Sequence, residues 1–172
     1  MQTQFVSFSN TFQLGLPMKG QALRYRVVMF NITDETIDVI ALTSELDHPA
    51  GGALVEFEGR VRNNSEGQSV TALDYQAYKP LAEGEGNKII REAVERFGLL
   101  TCRCVHRTGH LEIGGIAVWV GVIAGHRAEA FEGCRYVIDE VKKRVPIWKK
   151  EQFESGESHW VACHDEGTSG QT

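Results

Sequence analysis

Two lysines seven residues apart, Lys142 and Lys149, flank the segment Val145-Pro146-Ile147-Trp148. Pro146 lacks an amide hydrogen and its ring clashes with the preceding turn, so a helix carrying Lys142 stops before it and the chain folds back. Both ammonium groups can then converge on one pocket. A lysine beside another cation, or partly withdrawn from water, is shifted toward neutrality and can act as nucleophile or proton carrier. The same spacing also fits two surface lysines with the Trp148 ring packed over the core. Gly125-His126-Arg127 marks a second place for chemistry, where an apolar strand ends and a long helix begins. Free backbone N–H groups there attract anions, and His126 and Arg127 would complete a phosphate site; a plain strand-to-helix corner with both side chains in water fits equally. Arg60 and Arg62 share one side of an alternating segment further upstream.

Cys102, Cys104 and His106 share one strand face, and His110 follows. Three ligands on one flat strand converge poorly on a tetrahedral ion, and no second cysteine pair lies at finger-like spacing. Packed thiols are therefore expected and no metal site is assigned. Glu56 and Glu58 alternate with Phe57 and could be paired acids, but nothing marks an opposing nucleophile, which favours a polar sheet face. No glycine-rich phosphate loop, Ser-His-Asp order or Cys-His protease signature occurs. The 18 Lys and Arg stand against 23 Asp and Glu, a net charge of -5, which argues against a general nucleic-acid or anionic-membrane surface. An anionic ligand must meet a local concentration of cations, for which Lys142-Lys143-Arg144 and Lys149-Lys150 are the candidates. A solvated helix end, where cations suit the dipole, accounts for the same run.

These groups need elements to hold them. At 172 residues, 42% hydrophobic and 24% charged, the chain fits one globular domain. Its longest apolar run, Ile116 to Ala124, falls far short of the roughly 20 residues that cross a bilayer. Met1 to Gly20 lacks the basic start, apolar stretch and cleavage site of a secretory leader, so a cytoplasmic protein with reduced cysteines is expected. Residues 1–24 read as an N-terminal extension and residues 165–172 as a disordered tail. Tyr25 to Phe30 reads as a strand and Thr36 to Leu46 as a short helix closed by His48-Pro49. Ala53 to Arg62 alternates as a strand, and after the turn Asn63-Asn64-Ser65-Glu66-Gly67 the segment Val70 to Tyr78 is expected back as its hairpin partner. Pro80 opens a helix to Phe97 with Gly98 as its stop, weakened early by Gly84 and Gly86. Thr101 to Arg107 and Ile116 to Ala124 are strands, and Arg127 to Val145 is a helix. This order implies an α+β fold, a largely antiparallel sheet packed with about three helices.

Four ordered segments carry a family resemblance: Gly52-Ala53-Leu54-Val55-Glu56-Phe57-Glu58-Gly59-Arg60-Val61-Arg62-Asn63, His106-Arg107-Thr108-Gly109, Gly125-His126-Arg127, and Lys142-Lys143-Arg144-Val145-Pro146-Ile147-Trp148-Lys149-Lys150-Glu151. Together they resemble the MoaE family, the large subunit of molybdopterin synthase, over a single domain spanning residues 25–164. The resemblance implies an α/β hammerhead-type fold and a sulfurtransferase that needs no metal or cofactor of its own. It also implies a homodimer within a heterotetramer, with a small ubiquitin-like MoaD-type subunit at each end. That partner's C-terminal Gly-Gly thiocarboxylate would deliver sulfur to cyclic pyranopterin monophosphate, and two transfers would make the molybdopterin dithiolene. Carried over by motif, Lys142 and Lys149 are the catalytic residues. Arg62, His126 and Arg127 would hold the substrate, with Phe57 and Ile138 lining the pocket. The chain departs from relatives with methionine at the Ile138 position, and has Cys163-His164 where some place a basic residue.

Arg127 and Lys142 are 15 residues apart on one helix, hence about 22 Å from each other at 1.5 Å per residue. If both serve one ligand, His126 and Arg127 come from a dimer mate. Two rival readings remain open on the residues alone. One is a non-catalytic dimeric module that binds an anionic peptide tail or nucleotide in a basic cleft; the other is a cysteine-based sulfur carrier or metal protein using Cys102 and Cys104.

Overall fold

The computed structural model describes residues 28–162, which form nine strands and three helices. In chain order they begin β1 (Val28–Thr33), α1 (Val39–Glu45), β2 (Ala53–Arg60), β3 (Asn64–Ser65), β4 (Gln68–Ala77) and α2 (Lys79–Phe97). The second half runs β5 (Thr101–Arg107), β6 (Gly109–Glu112), β7 (Ile116–Ala124), α3 (Arg127–Arg144), β8 (Ile147–Phe153) and β9 (Ser158–Ala162). The N-terminal extension, Tyr25 to Val27 of the expected first strand, Cys163-His164 and the tail lie outside the described residues. Among those residues no helix is long and apolar enough to cross a membrane.

The first sheet has the order β1-β5-β7-β2, with β1 parallel to β5 and the other pairs antiparallel. β7 is buried from Ala117 to Ala124, which is what its apolar run requires of a strand covered on both faces. Val118, Val120, Val122 and Ala124 face the main core against α2 and α3, while Trp119 and Ile123 pack with Ile37 and Leu46 beside α1. The edge strand β1 is tied to α2 through side chains. Asn87 Oδ1 accepts from the Phe30 amide at 3.0 Å, and Glu83 Oε1 accepts from the Ile32 amide at 3.0 Å. Gly86, which weakens α2 locally, is needed there: a Cβ on it would lie 2.2 Å from the Phe30 ring. Gly98 stops the helix in the left-handed conformation at φ 62°.

The hairpin expected between Ala53 to Arg62 and Val70 to Tyr78 does not form. β2 pairs instead with β7, placing Phe57 opposite Val120, because Val55 and Phe57 complete the core against α3. β4 belongs to a second sheet of order β3-β4-β8-β9, with β6 also on β4. It turns back only on the two-residue β3 and pairs along its length with β8. There Val70 and Leu73 join Val61, Leu111, Ala117 and Phe153 in a separate small core. β6, β8 and β9 were not expected as strands. β8 hides in the charged run Ile147-Trp148-Lys149-Lys150-Glu151-Gln152-Phe153, yet its burial alternates, with Ile147, Lys149, Glu151 and Phe153 inward.

Candidate active site

α3 ends where Pro146 requires it to. Val145 closes the helix with its amide on the Val141 carbonyl at 3.0 Å, and β8 starts at Ile147. With almost no loop between them, the last turns of α3 and the inward face of β8 bound the same space. β4 lies opposite β8, with Tyr75 directly across from Lys149, and the ends of β2, β5 and β7 close the remaining sides. The result is a cleft between the two sheets with a volume of about 130 Å³.

Lys142, Lys149, Arg62 and Ile138 all line this cleft, as does Arg60. The convergence expected of the two lysines is therefore present. Lys142 is exposed at the cleft, whereas Lys149 is only 7% exposed. The alternative in which Trp148 covers the core is reversed by strand parity: Trp148 is 42% exposed on the outer face, and Lys149 is the buried residue. Lys149 Nζ pairs with Glu151 Oε1 at 3.0 Å, two inward positions along the same strand. This burial needs the carboxylate, since an ammonium out of water is tolerated only when paired and hydrogen-bonded.

The other members of the basic run are engaged elsewhere. Lys143 pairs with Glu140 at 3.1 Å, and the Arg144 guanidinium bonds Glu85, Glu92 and Glu140, fastening α3 to α2. That guanidinium holds the Glu85 and Glu92 carboxyls below their ordinary range. Among the described residues no carboxylate pairs with Lys142, which leaves its charge directed at the cleft. Arg60 bonds Glu58 through Nε at 2.8 Å, and Glu56 accepts from the Thr43 hydroxyl, so the two acids serve structure.

Three expected residues are not in the cleft. Phe57 packs half-buried against the main core, and it is Gly59, two residues on, that lines the cavity. His126 and Arg127 cap and begin α3, both exposed, and the unbroken helix to Arg144 keeps them about 22 Å from Lys142. A single chain thus assembles Arg62, Ile138, Lys142 and Lys149 and leaves a basic helix N-terminus far away.

Sequence reasoning did not foresee Tyr75, His106 and Glu151 at this site. Glu151 becomes legible once β8 is a strand, because it shares the parity of Lys149. His106 shares a face with Cys102 and Cys104, but only those two are sealed in the core, at 0% exposure. Burial raises the Cys104 thiol well above its ordinary range and pushes Cys134 up to about 11, so neither is a ready thiolate. His106 lines the cleft at 7% exposure, its ring in edge contact with Tyr75 at 5.3 Å between centroids. Burial pushes it down to about 4, and the Lys142 charge acts in the same direction against a bond to the Arg107 carbonyl. Nδ1 lies 2.9 Å from that carbonyl oxygen. Nδ1 therefore carries the proton and donates, which leaves Nε2 as an unprotonated acceptor.

A sequence profile described as MoaE protein matches residues 32–144. A molybdopterin synthase catalytic subunit from Thermoplasma volcanium is 43% identical over 129 residues, covering 75% of this chain and 94% of that protein. The crystal structure of molybdopterin synthase from Staphylococcus aureus superposes with a TM-score of 0.72 at 37% identity, covering 77% of this chain and 96% of that one. A complex of subunits 1 and 2 of molybdopterin-converting factor from Helicobacter pylori matches with a TM-score of 0.63 at 20% identity, covering 80% and 91%. At that identity the match speaks for the fold alone.

Proposed function

The chain belongs to the MoaE family, and from that premise we propose that it works as the catalytic subunit of a molybdopterin synthase. It moves sulfur from the C-terminal thiocarboxylate of a small MoaD-type carrier onto cyclic pyranopterin monophosphate, in the cytoplasm, and two transfers complete the dithiolene. The observation that carries this reading is the convergence of Lys142, Lys149 and Arg62 on one cleft. Arg62 offers a two-pronged, charge-assisted contact to phosphate. Lys142 meets the acyl group at the cleft mouth, where it stabilises negative charge on the tetrahedral intermediate and exchanges the proton that its collapse requires. Lys149, fixed by Glu151, supplies a second positive charge from the floor.

The distance between Arg127 and Lys142 supports a composite site. In a two-fold dimer, His126 and Arg127 of one protomer reach the cleft of the other, and the exposed N-terminus of α3 adds its dipole to the phosphate contact. The small subunit's C-terminal Gly-Gly tail enters the same cleft, and the assembly is a heterotetramer.

The test is molybdopterin formation from cyclic pyranopterin monophosphate and thiocarboxylated small subunit, with wild type and Lys142→Ala both confirmed to bind the partner. Wild-type turnover and a loss of about 100-fold or more in the variant are expected. Binding without turnover by the wild-type complex would return the reading to a non-catalytic module.

A further inference from the structure

The cations that line the cleft, Arg60, Arg62, Lys142 and Lys149, can only donate hydrogen bonds, and the Glu151 carboxylate is turned to Lys149. They suit a phosphate and a carbonyl, but cannot meet the ring N–H and amino groups of a heterocycle. Asn64, Ser65 and Tyr75 also carry acceptor oxygens on the lining, at less buried positions, and His106 answers that need from the buried wall. Its Nδ1–H is committed to the Arg107 carbonyl at 2.9 Å, so the tautomer is fixed, and among the described residues no group donates to Nε2. The ring is held in place by Tyr75 and by β5, where it stands opposite Val118 of the cleft wall.

We propose that His106 is a specificity-determining residue of the sulfur-transfer reaction, with Nε2 accepting a hydrogen bond from an N–H of the substrate's heterocycle while the cations hold its phosphate. The inference rests on the synthase reading above and adds to it a division of labour within the cleft. A carboxylate at this position would draw in the lysines, and a protonated imidazole could only donate; burial beside Lys142 keeps the ring neutral.

The experiment uses the assembled complex with the thiocarboxylated carrier and cyclic pyranopterin monophosphate, comparing His106→Asn and His106→Gln with wild type. The Asn amide can replace Nδ1 but falls short of Nε2, whereas Gln reaches the Nε2 position. His106→Asn should raise KM about tenfold, as loss of one buried hydrogen bond does, and change kcat by no more than about twofold. His106→Gln should recover KM to within about threefold. A separate reading needs no variant: in ¹⁵N-histidine-labelled wild type, binding of the pterin phosphate should move the His106 Nε2 resonance upfield from its unprotonated position. An unchanged KM in His106→Asn, a loss confined to kcat, no advantage of Gln over Asn, or an unmoved Nε2 resonance would each overturn the inference. In all four the wild type still turns over, so the synthase reading stands; a wild-type complex that makes no product overturns both.

Discussion

The Lys149–Glu151 pair gives the sharpest test of how the site is built, because stability and activity should separate. The two side chains are 8% and 9% exposed and 3.0 Å apart, so neither charge is screened by water. In Glu151→Gln the ammonium loses its carboxylate while remaining on the inward face of β8. Breaking a buried pair from one side costs about 3–5 kcal/mol. A domain of this size has about 5–15 kcal/mol in total, and each kcal/mol moves Tm by about 2–4 °C, so the variant should fold with Tm lowered by about 10 °C. Lys149→Met should cost a similar amount by stranding Glu151. The double variant Lys149→Met/Glu151→Leu removes both charges and replaces them with apolar groups beside Leu73 and Phe153; it should recover to within about 1.5 kcal/mol of wild type. Urea unfolding of the four proteins measures the cycle, and product formation should be absent from the double variant despite its stability. Single variants costing under about 1 kcal/mol, or a double variant whose cost is the sum of the singles, would refute the account of a paired and desolvated lysine.

Two further outcomes follow from the geometry. His106 is neutral in the folded protein down to about pH 4, but an unfolded histidine protonates below about 6.5. The unfolded state therefore binds more protons in that window, and stability falls as pH drops from 6.5 toward 4, by about 2 kcal/mol between pH 7 and pH 5; His106→Gln should lose this share when urea unfolding is compared at the two values. The composite-site proposal is checked by mixing two inactive proteins, Lys142→Ala and Arg127→Ala, after unfolding and refolding together. Mixed dimers carry one site with both changes and one with neither, so about a quarter of wild-type activity should return if the two residues come from different protomers, and none if they act within one chain.

The cleft also relates the order of the chain to its chemistry. Pro146 does more than end α3: by placing β8 immediately after the helix, it makes the residues before and after the break neighbours across the same space. The fixed parity of β8 then chooses Lys149 over Lys150 and sends Trp148 outward.

Much of this was carried by local signals. The proline break predicted that Lys142 and Lys149 could meet. The apolar period of β7 and the caps of α2 placed those elements, and the spacing of Arg127 and Lys142 along one helix set the two about 22 Å apart within one chain. These features depend on bond geometry within a few residues or on a helix of known rise, which the sequence states directly. Strand partnership depends on which apolar faces can be buried together. The short turn at Asn63 to Gly67 suggested that β4 would return on β2, yet β2 pairs with β7, where Val55 and Phe57 join the main core, and β4 finds its partner in β8. The burial of Lys149 could not be read from a charged run, since it is settled by Tyr75 across the sheet and Glu151 along it. His106 looked like a companion of two cysteines; only the packing shows that β5 passes from the sealed core, where Cys102 and Cys104 lie, into the wall of the cleft. A side chain's alternation is local, but whether it ends in core, cleft or water is decided by what the rest of the chain brings against it.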